Sequence, residues 1–316
     1  MLSLCIVFAC LMLLLLLLLC AGVVLGMANM LLKPPRMTDG KATYVLQRLS
    51  PGDLGMSFEE VRFDIRDAAR GGKLSIAGWW IPPREPTGKC AVLLHGYGDA
   101  KVGVIAWAPM FHALGHGVLA IDLRAHGESG GIHSTAGYWE RHDVDAVINQ
   151  FHTARPEQTR SIILFGVSLG AAVAVAVAAE RDDLDGVILD SPYADYPSAV
   201  AAHAEILGQP GGLLQKLGLR AAQRISGADF YAVAPVDLIP KIRAPLMIIQ
   251  AGSDPFVPPA DARRLETATA ARATALQTVY WHVEQAPHVQ AMSADPIAYM
   301  ERLAQFLESP VGATLL

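Results

Sequence analysis

The chain has 316 residues, of which 52% are hydrophobic and 17% charged, with a formal net charge of −5. That is enough apolar content for a large core and excludes a disordered chain. With only mild acidity and no basic stripe, nucleic acid is excluded as a partner.

Residues 1–32 contain no Asp, Glu, Lys or Arg and include seven consecutive leucines at 13–19. The stretch exceeds the roughly 20 residues that span a bilayer and reads as a single-pass membrane anchor. A signal peptide ending near Gly26-Met27-Ala28 is the alternative, against which stand the missing basic n-region and the length of the apolar core. A buried soluble helix is the third reading. Lys33, Arg36 and Lys41 follow the span and no Lys or Arg precedes it, so the positive-inside rule weakly favours a cytoplasmic position for the domain that follows. Cys5, Cys10 and Cys20 lie in the apolar stretch and Cys90 stands alone beyond it, which leaves the globular part without a disulfide or a thiolate metal site.

Residues 33–57, with Pro34-Pro35 and Pro51-Gly52, read as a juxtamembrane linker with one short helix around 44–49 and no chemistry. The alternation at 61–65 and the run at 74–81, closed by Pro82-Pro83, predict a hairpin-like pair at a sheet edge. From Cys90 onward short apolar runs alternate with helical stretches, the pattern of a parallel sheet covered on both faces. Strands are expected at 91–94, 118–122, 162–165, 186–189, 246–250 and 278–283. Helices are expected at 100–114, 139–153, 169–180, 260–271 and 296–307. The stretch 193–241 is the one long insertion and reads as a small helical cap on a single α/β domain over 58–316.

Gly166-Val167-Ser168-Leu169-Gly170 falls between a strand and a helix. This is the setting of a nucleophile elbow, in which the serine projects from a tight turn and the helix N-terminus faces any oxyanion formed there. A serine hydroxyl needs a base, and the base needs a partner that fixes its tautomer. Asp254 after the strand at 246–250 and His288 after the last strand supply both in the chain order Ser, acid, His. Asp190 and Asp261 are rival acids; the first opens a Ser-Pro turn and the second sits in an expected solvated helix. His282 lies inside a strand, and His95 and His126 come too early in the chain. Oxyanion donors are expected from the backbone N–H groups of Leu169 and Tyr97, each worth about 3 to 4 kcal/mol in comparable sites. Arg124 to Gly131 reads as a structural loop whose Arg and His bond neighbouring loops. No phosphate-loop pattern is present.

The ordered set His95-Gly96-Tyr97-Gly98, Asp122-Leu123-Arg124-Ala125-His126-Gly127-Glu128-Ser129, the serine pentad, Gly252-Ser253-Asp254-Pro255-Phe256-Val257-Pro258 and Pro287-His288 resembles the α/β-hydrolase superfamily. Within it the spacing is similar to the prolyl-oligopeptidase-related and membrane-anchored α/β-hydrolase-domain proteins. The resemblance implies an eight-stranded sheet with one antiparallel strand, Ser168 as nucleophile, Asp254 as acid, His288 as base, and the Tyr97 and Leu169 amides as oxyanion hole. Peptidases of that group carry a large accessory domain, which here makes peptides the second choice. The expectation is therefore a membrane-anchored serine hydrolase of carboxylic esters, with lipid-like acyl esters or thioesters favoured among small-molecule acyl substrates, acting through an acyl-enzyme without cofactor or metal. Peptidase or acyltransferase chemistry is one alternative, and a catalytically silent binding protein at the membrane is another.

Overall fold

In the computed structural model, which describes residues 1–209, 211–273 and 276–308, the expected apolar runs become β3 to β8. The strands are β1 (Glu59–Arg66), β2 (Lys73–Ile81), β3 (Lys89–Leu94), β4 (Gly117–Ile121), β5 (Ser161–Val167), β6 (Gly186–Asp190), β7 (Leu246–Ala251) and β8 (Thr278–Val283). They form one sheet in the order β1-β2-β4-β3-β5-β6-β7-β8. β2 runs antiparallel to both of its neighbours and every other pair is parallel. This is the mostly parallel eight-stranded sheet that the resemblance implies. Position 210 of the expected cap and the end of the expected domain, 309–316, lie outside the described residues.

Continuous apolar strands arise because both faces of the sheet are buried. In β5, Ile162 and Leu164 face one core while Ile163, Phe165 and Val167 face the other; β3 divides likewise between Cys90, Val92, Leu94 and Ala91, Leu93. A long N-terminal helix, α1 (Leu2–Leu32), and a short one, α2 (Asp39–Leu46), precede the sheet. One face is covered by α3 (Glu140–Ala154), α4 (Leu169–Ala178) and, from the far side of the insertion, α7 (Pro259–Ala270); the other by α8 (Pro296–Glu308). The insertion folds as α5 (Tyr196–Ile206) and α6 (Leu213–Ser226).

Three local expectations are corrected. The stretch 100–114 is not one helix but a short helix, Lys101–Val104, a 3-10 turn and a second helix, Ala108–Ala113. The break falls just before Pro109, which has no N–H to donate and whose ring disfavours a continuous preceding turn. The helix of residues 33–57 sits at 39–46, started by Thr38, whose hydroxyl accepts from the Lys41 N–H at 3.3 Å. Asp261 is buried rather than solvated, because Arg264 folds over it at 2.8 Å.

The helix α1 is long and apolar enough to cross a membrane, with a mean hydropathy of 3.3 over its most apolar window. Its large side chains from Leu4 to Leu25 are predominantly exposed, yet Ala28 and Leu32 are buried. The last two turns thus belong to the packed body, and the segment 33–57 is not a passive linker either. The Arg36 guanidinium donates to the carbonyls of His126, Gly127 and Ser129 at 3.2, 2.7 and 2.8 Å.

Candidate active site

Ser168 joins β5 to α4 with φ 52° and ψ −114°, a backbone region that an L-residue occupies only under strain. Flanking glycines make the turn possible. A Cβ on Gly166 would run into the backbone of Gly170, and one on Gly170 into the carbonyls of Leu94 and His95. The elbow is stitched to the next strand by the Ser168 N–H, which donates to Asp190 O at 2.9 Å.

Ser168, Asp254 and His288 meet although 120 residues separate the serine from the histidine. His288 Nδ1 lies 2.6 Å from Asp254 Oδ2, and its Nε2 lies 2.9 Å from Ser168 Oγ. A carboxylate only accepts, so the proton is on Nδ1 and Nε2 offers its lone pair to the serine hydroxyl. The other carboxylate oxygen of Asp254 accepts the Phe256 N–H at 2.8 Å, which fixes the group from both ends. The Phe256 ring packs edge-on against the imidazole, with centroids 5.0 Å apart, and His203 of α5 stacks on that ring at 4.8 Å. The cap thus leans on the histidine through Phe256.

The Leu169 N–H opens α4, where no preceding turn supplies an acceptor, and the Tyr97 N–H follows the glycine that faces the serine. A Cβ on Gly96 would touch Ser168 Cβ at 3.5 Å. Neither amide donates to any group among the described residues. His95 holds this loop: its Nε2 accepts the Leu123 N–H at 3.0 Å, so its Nδ1 donates to Gly96 O at 2.7 Å. Burial pushes the His95 imidazole down to about 3, which keeps it neutral. A cavity of about 490 Å³ opens beside Ser168, lined by Gly96, Tyr97, Leu169 and His288 together with apolar side chains of α1 and α5.

The rival residues go elsewhere. Asp190 is fully buried at the end of β6, accepting from Ser191 Oγ at 2.8 Å and from the Tyr299 hydroxyl at 2.9 Å. Desolvation raises its carboxyl to about 6. His282 is exposed on the edge strand β8, and His126 points inward, with Nδ1 2.9 Å from Arg124 O. Arg124 makes a bidentate ion pair with Asp143, and none of the Arg124–His126 side chains lines the cavity.

Sequence reasoning missed what supports the histidine. Val289, directly after His288, has φ 57°, and its N–H donates to Ser191 Oγ at 2.9 Å. The chain of bonds continues through Asp190 and Tyr299 to Trp107 Nε1, 2.9 Å from the Tyr299 hydroxyl. The one signal for it was Asp190-Ser191 at a strand's carboxyl end, read only as a competing acid.

The family described as serine aminopeptidase, S33, matches residues 85–227, from just before β3 through the elbow to the end of α6. The Bacillus subtilis protein YqkD is 24% identical over 258 residues, covering 76% of this chain and 77% of its own. A monoacylglycerol lipase of Mycolicibacterium smegmatis is 29% identical over 171 residues, 50% of this chain and 58% of that one. Among solved structures, an esterase of Pyrococcus furiosus superposes with a TM-score of 0.70 at 23% identity, covering 89% of this chain and 99% of the esterase.

Proposed function

Because the chain belongs to the α/β-hydrolase superfamily, we propose that it is a membrane-anchored serine hydrolase of carboxylic esters, with Ser168, His288 and Asp254 as its triad. The observation that carries this reading is the imidazole bonded at both nitrogens, to a fixed carboxylate on one side and to a serine on a strained elbow on the other. Ser168 Oγ attacks the ester carbonyl while its proton passes to His288 Nε2. Asp254 stabilises the imidazolium and holds its orientation. The tetrahedral oxyanion accepts the Leu169 and Tyr97 N–H groups, which are already in place and need no reorganisation. Collapse expels the alcohol, which takes the proton from Nε2, and a water activated by the same nitrogen then hydrolyses the acyl-serine. The apolar cavity favours an acyl chain over a polar group, and the names of the esterase and lipase relatives support ester substrates. The serine aminopeptidase description of the matching family makes peptide bonds the second reading. The apolar length of α1 supports the anchor.

The test uses the full chain in detergent, beside Ser168→Ala, on p-nitrophenyl acetate, butyrate, octanoate and palmitate, with aminoacyl p-nitroanilides in the same panel. Wild type should hydrolyse the esters and label with a fluorophosphonate, and the variant should lose turnover by about 10⁶-fold and all labelling. A folded wild-type chain that neither turns over nor labels sinks the reading.

A further inference from the structure

The cavity beside Ser168 is walled in part by α1, the helix proposed above as the membrane anchor. Met27, Met30 and Leu31 of α1 line it opposite Ala199, His203 and Leu207 in and just after α5. This end of α1 is seated, not merely adjacent. Ala28 and Leu32 pack on Leu219 and Ala222 of α6 and on Phe230. Gly218 permits the approach, since a Cβ there would lie 3.0 Å from Met27 Cβ.

A helix leaves its last four carbonyls without intrahelical partners, and here all four are taken. Asn29 O accepts the Lys33 N–H at 2.9 Å, Leu31 O the Tyr196 hydroxyl at 3.3 Å and Leu32 O the Ser134 N–H at 2.8 Å. Met30 O accepts the hydroxyl of Tyr97, the residue whose own N–H faces the serine site. The seat of α1 is thereby tied to the oxyanion loop and to the cap together.

The exposed part of α1 ends where the cavity begins. Residues 3–25, at about 1.5 Å per residue, extend about 35 Å, enough for the hydrocarbon core of a bilayer. In the membrane-anchored protein proposed above, this would set the cavity at the membrane surface. Its volume of about 490 Å³ falls in the range of small-ligand pockets, roughly 300 to 1,000 Å³, and suits a single acyl chain.

We propose that the last two turns of α1 form a wall of the acyl-binding site, so that a single-chain acyl ester passes from the bilayer along Met27, Met30 and Leu31 to Ser168. The inference rests on the hydrolase reading for its chemistry but not for the binding it predicts. It makes α1 part of the substrate site, and removal of residues 1–32 would strip a wall from the cavity as well as the anchor.

The experiment uses full-length Ser168→Ala in nanodiscs containing a monoacylglycerol with a diazirine in its acyl chain, irradiated and mapped by mass spectrometry. Because this protein cannot turn the probe over, the readout is independent of hydrolysis, and fluorophosphonate labelling of the wild type reports separately on the hydrolase reading. Peptides covering 27–31 and 199–207 should both be labelled, and Met30→Trp, which fills the cavity from the α1 side, should lower labelling of 199–207 by fivefold or more. Met27→Trp provides a second variant, and Leu16→Trp, on the exposed part of α1, should leave the pattern unchanged. Label confined to residues 3–25, or label at 199–207 that neither cavity variant reduces, overturns the proposal.

Discussion

Ser191→Ala removes one hydroxyl that touches no reacting atom, and it should nevertheless slow the chemistry. Ser191 Oγ accepts the Val289 N–H at 2.9 Å and donates to Asp190 at 2.8 Å. Val289 is a β-branched residue held at φ 57°, a conformation that costs an L-residue about 1 to 2 kcal/mol. Truncation leaves the buried Asp190 oxygen without its donor, at about 1 to 3 kcal/mol, and frees Val289 to return to negative φ. His288 is its immediate neighbour, and its 2.9 Å bond to Ser168 does not survive a shift of an ångström. Misplacement of that size costs about 10²-fold, so kcat on p-nitrophenyl butyrate should fall about 10- to 100-fold. KM should change less, since of the cavity lining only Val289 and His288 would shift and the apolar walls from α1 and α5 stay in place. Urea unfolding of the full chain should report a loss of about 1 to 3 kcal/mol. Adding Val289→Gly, which has no penalty at positive φ, should recover part of kcat without restoring the lost bond. If kcat in Ser191→Ala stays within about twofold of wild type while stability drops as expected, the network is structural only and the positioning argument is wrong.

Two further outcomes follow from the site. Asp254→Asn keeps the shape but presents the imidazole with the wrong partner for its Nδ1 proton, and kcat should drop by about 10⁴-fold while the fold, followed by circular dichroism, is retained; a tenfold effect or less would show that Asp254 is not the orienting acid. His95 is buried and neutral, with its imidazole lowered from the usual 6.5 to about 3. Its contribution to stability is fully present above pH 6.5 and is lost as pH falls towards 3, because the unfolded state takes up the proton first. Comparing wild type with His95→Gln isolates this group from the oppositely shifted carboxyls, Asp99 and Asp190, each raised to about 6 by burial. The stability difference between the two proteins should shrink by about 2 to 3 kcal/mol between pH 7 and pH 4.5, and a difference that does not change with pH would refute the buried neutral state.

The sequence alone was sufficient for what depends on local pattern. Strands buried on both faces must be apolar throughout, so six of the eight were legible as short runs between helical stretches, and the edge pair β1 and β2 as an alternation closed by prolines. The elbow was legible because a strained serine between strand and helix demands glycines on both sides, and Asp254 and His288 because ligand-facing groups gather at the carboxyl ends of parallel strands. Sequence distance hid the rest. Nothing in the chain announces that Ser191 reaches Val289, 98 residues on, or that Tyr97 caps Met30, 67 residues back, since both contacts exist only once the sheet order has brought those loops together. For Asp261 the ion pair itself is local, three residues along one helix, and the distant part is Asp195 of the insertion, which also holds Arg264, at 2.7 Å. An apolar segment without charges determines that a helix can enter a membrane. Only the packing of Ala28 and Leu32 against the cap decides where the free apolar length of that helix ends and the domain begins, because burial is a property of neighbours and not of composition.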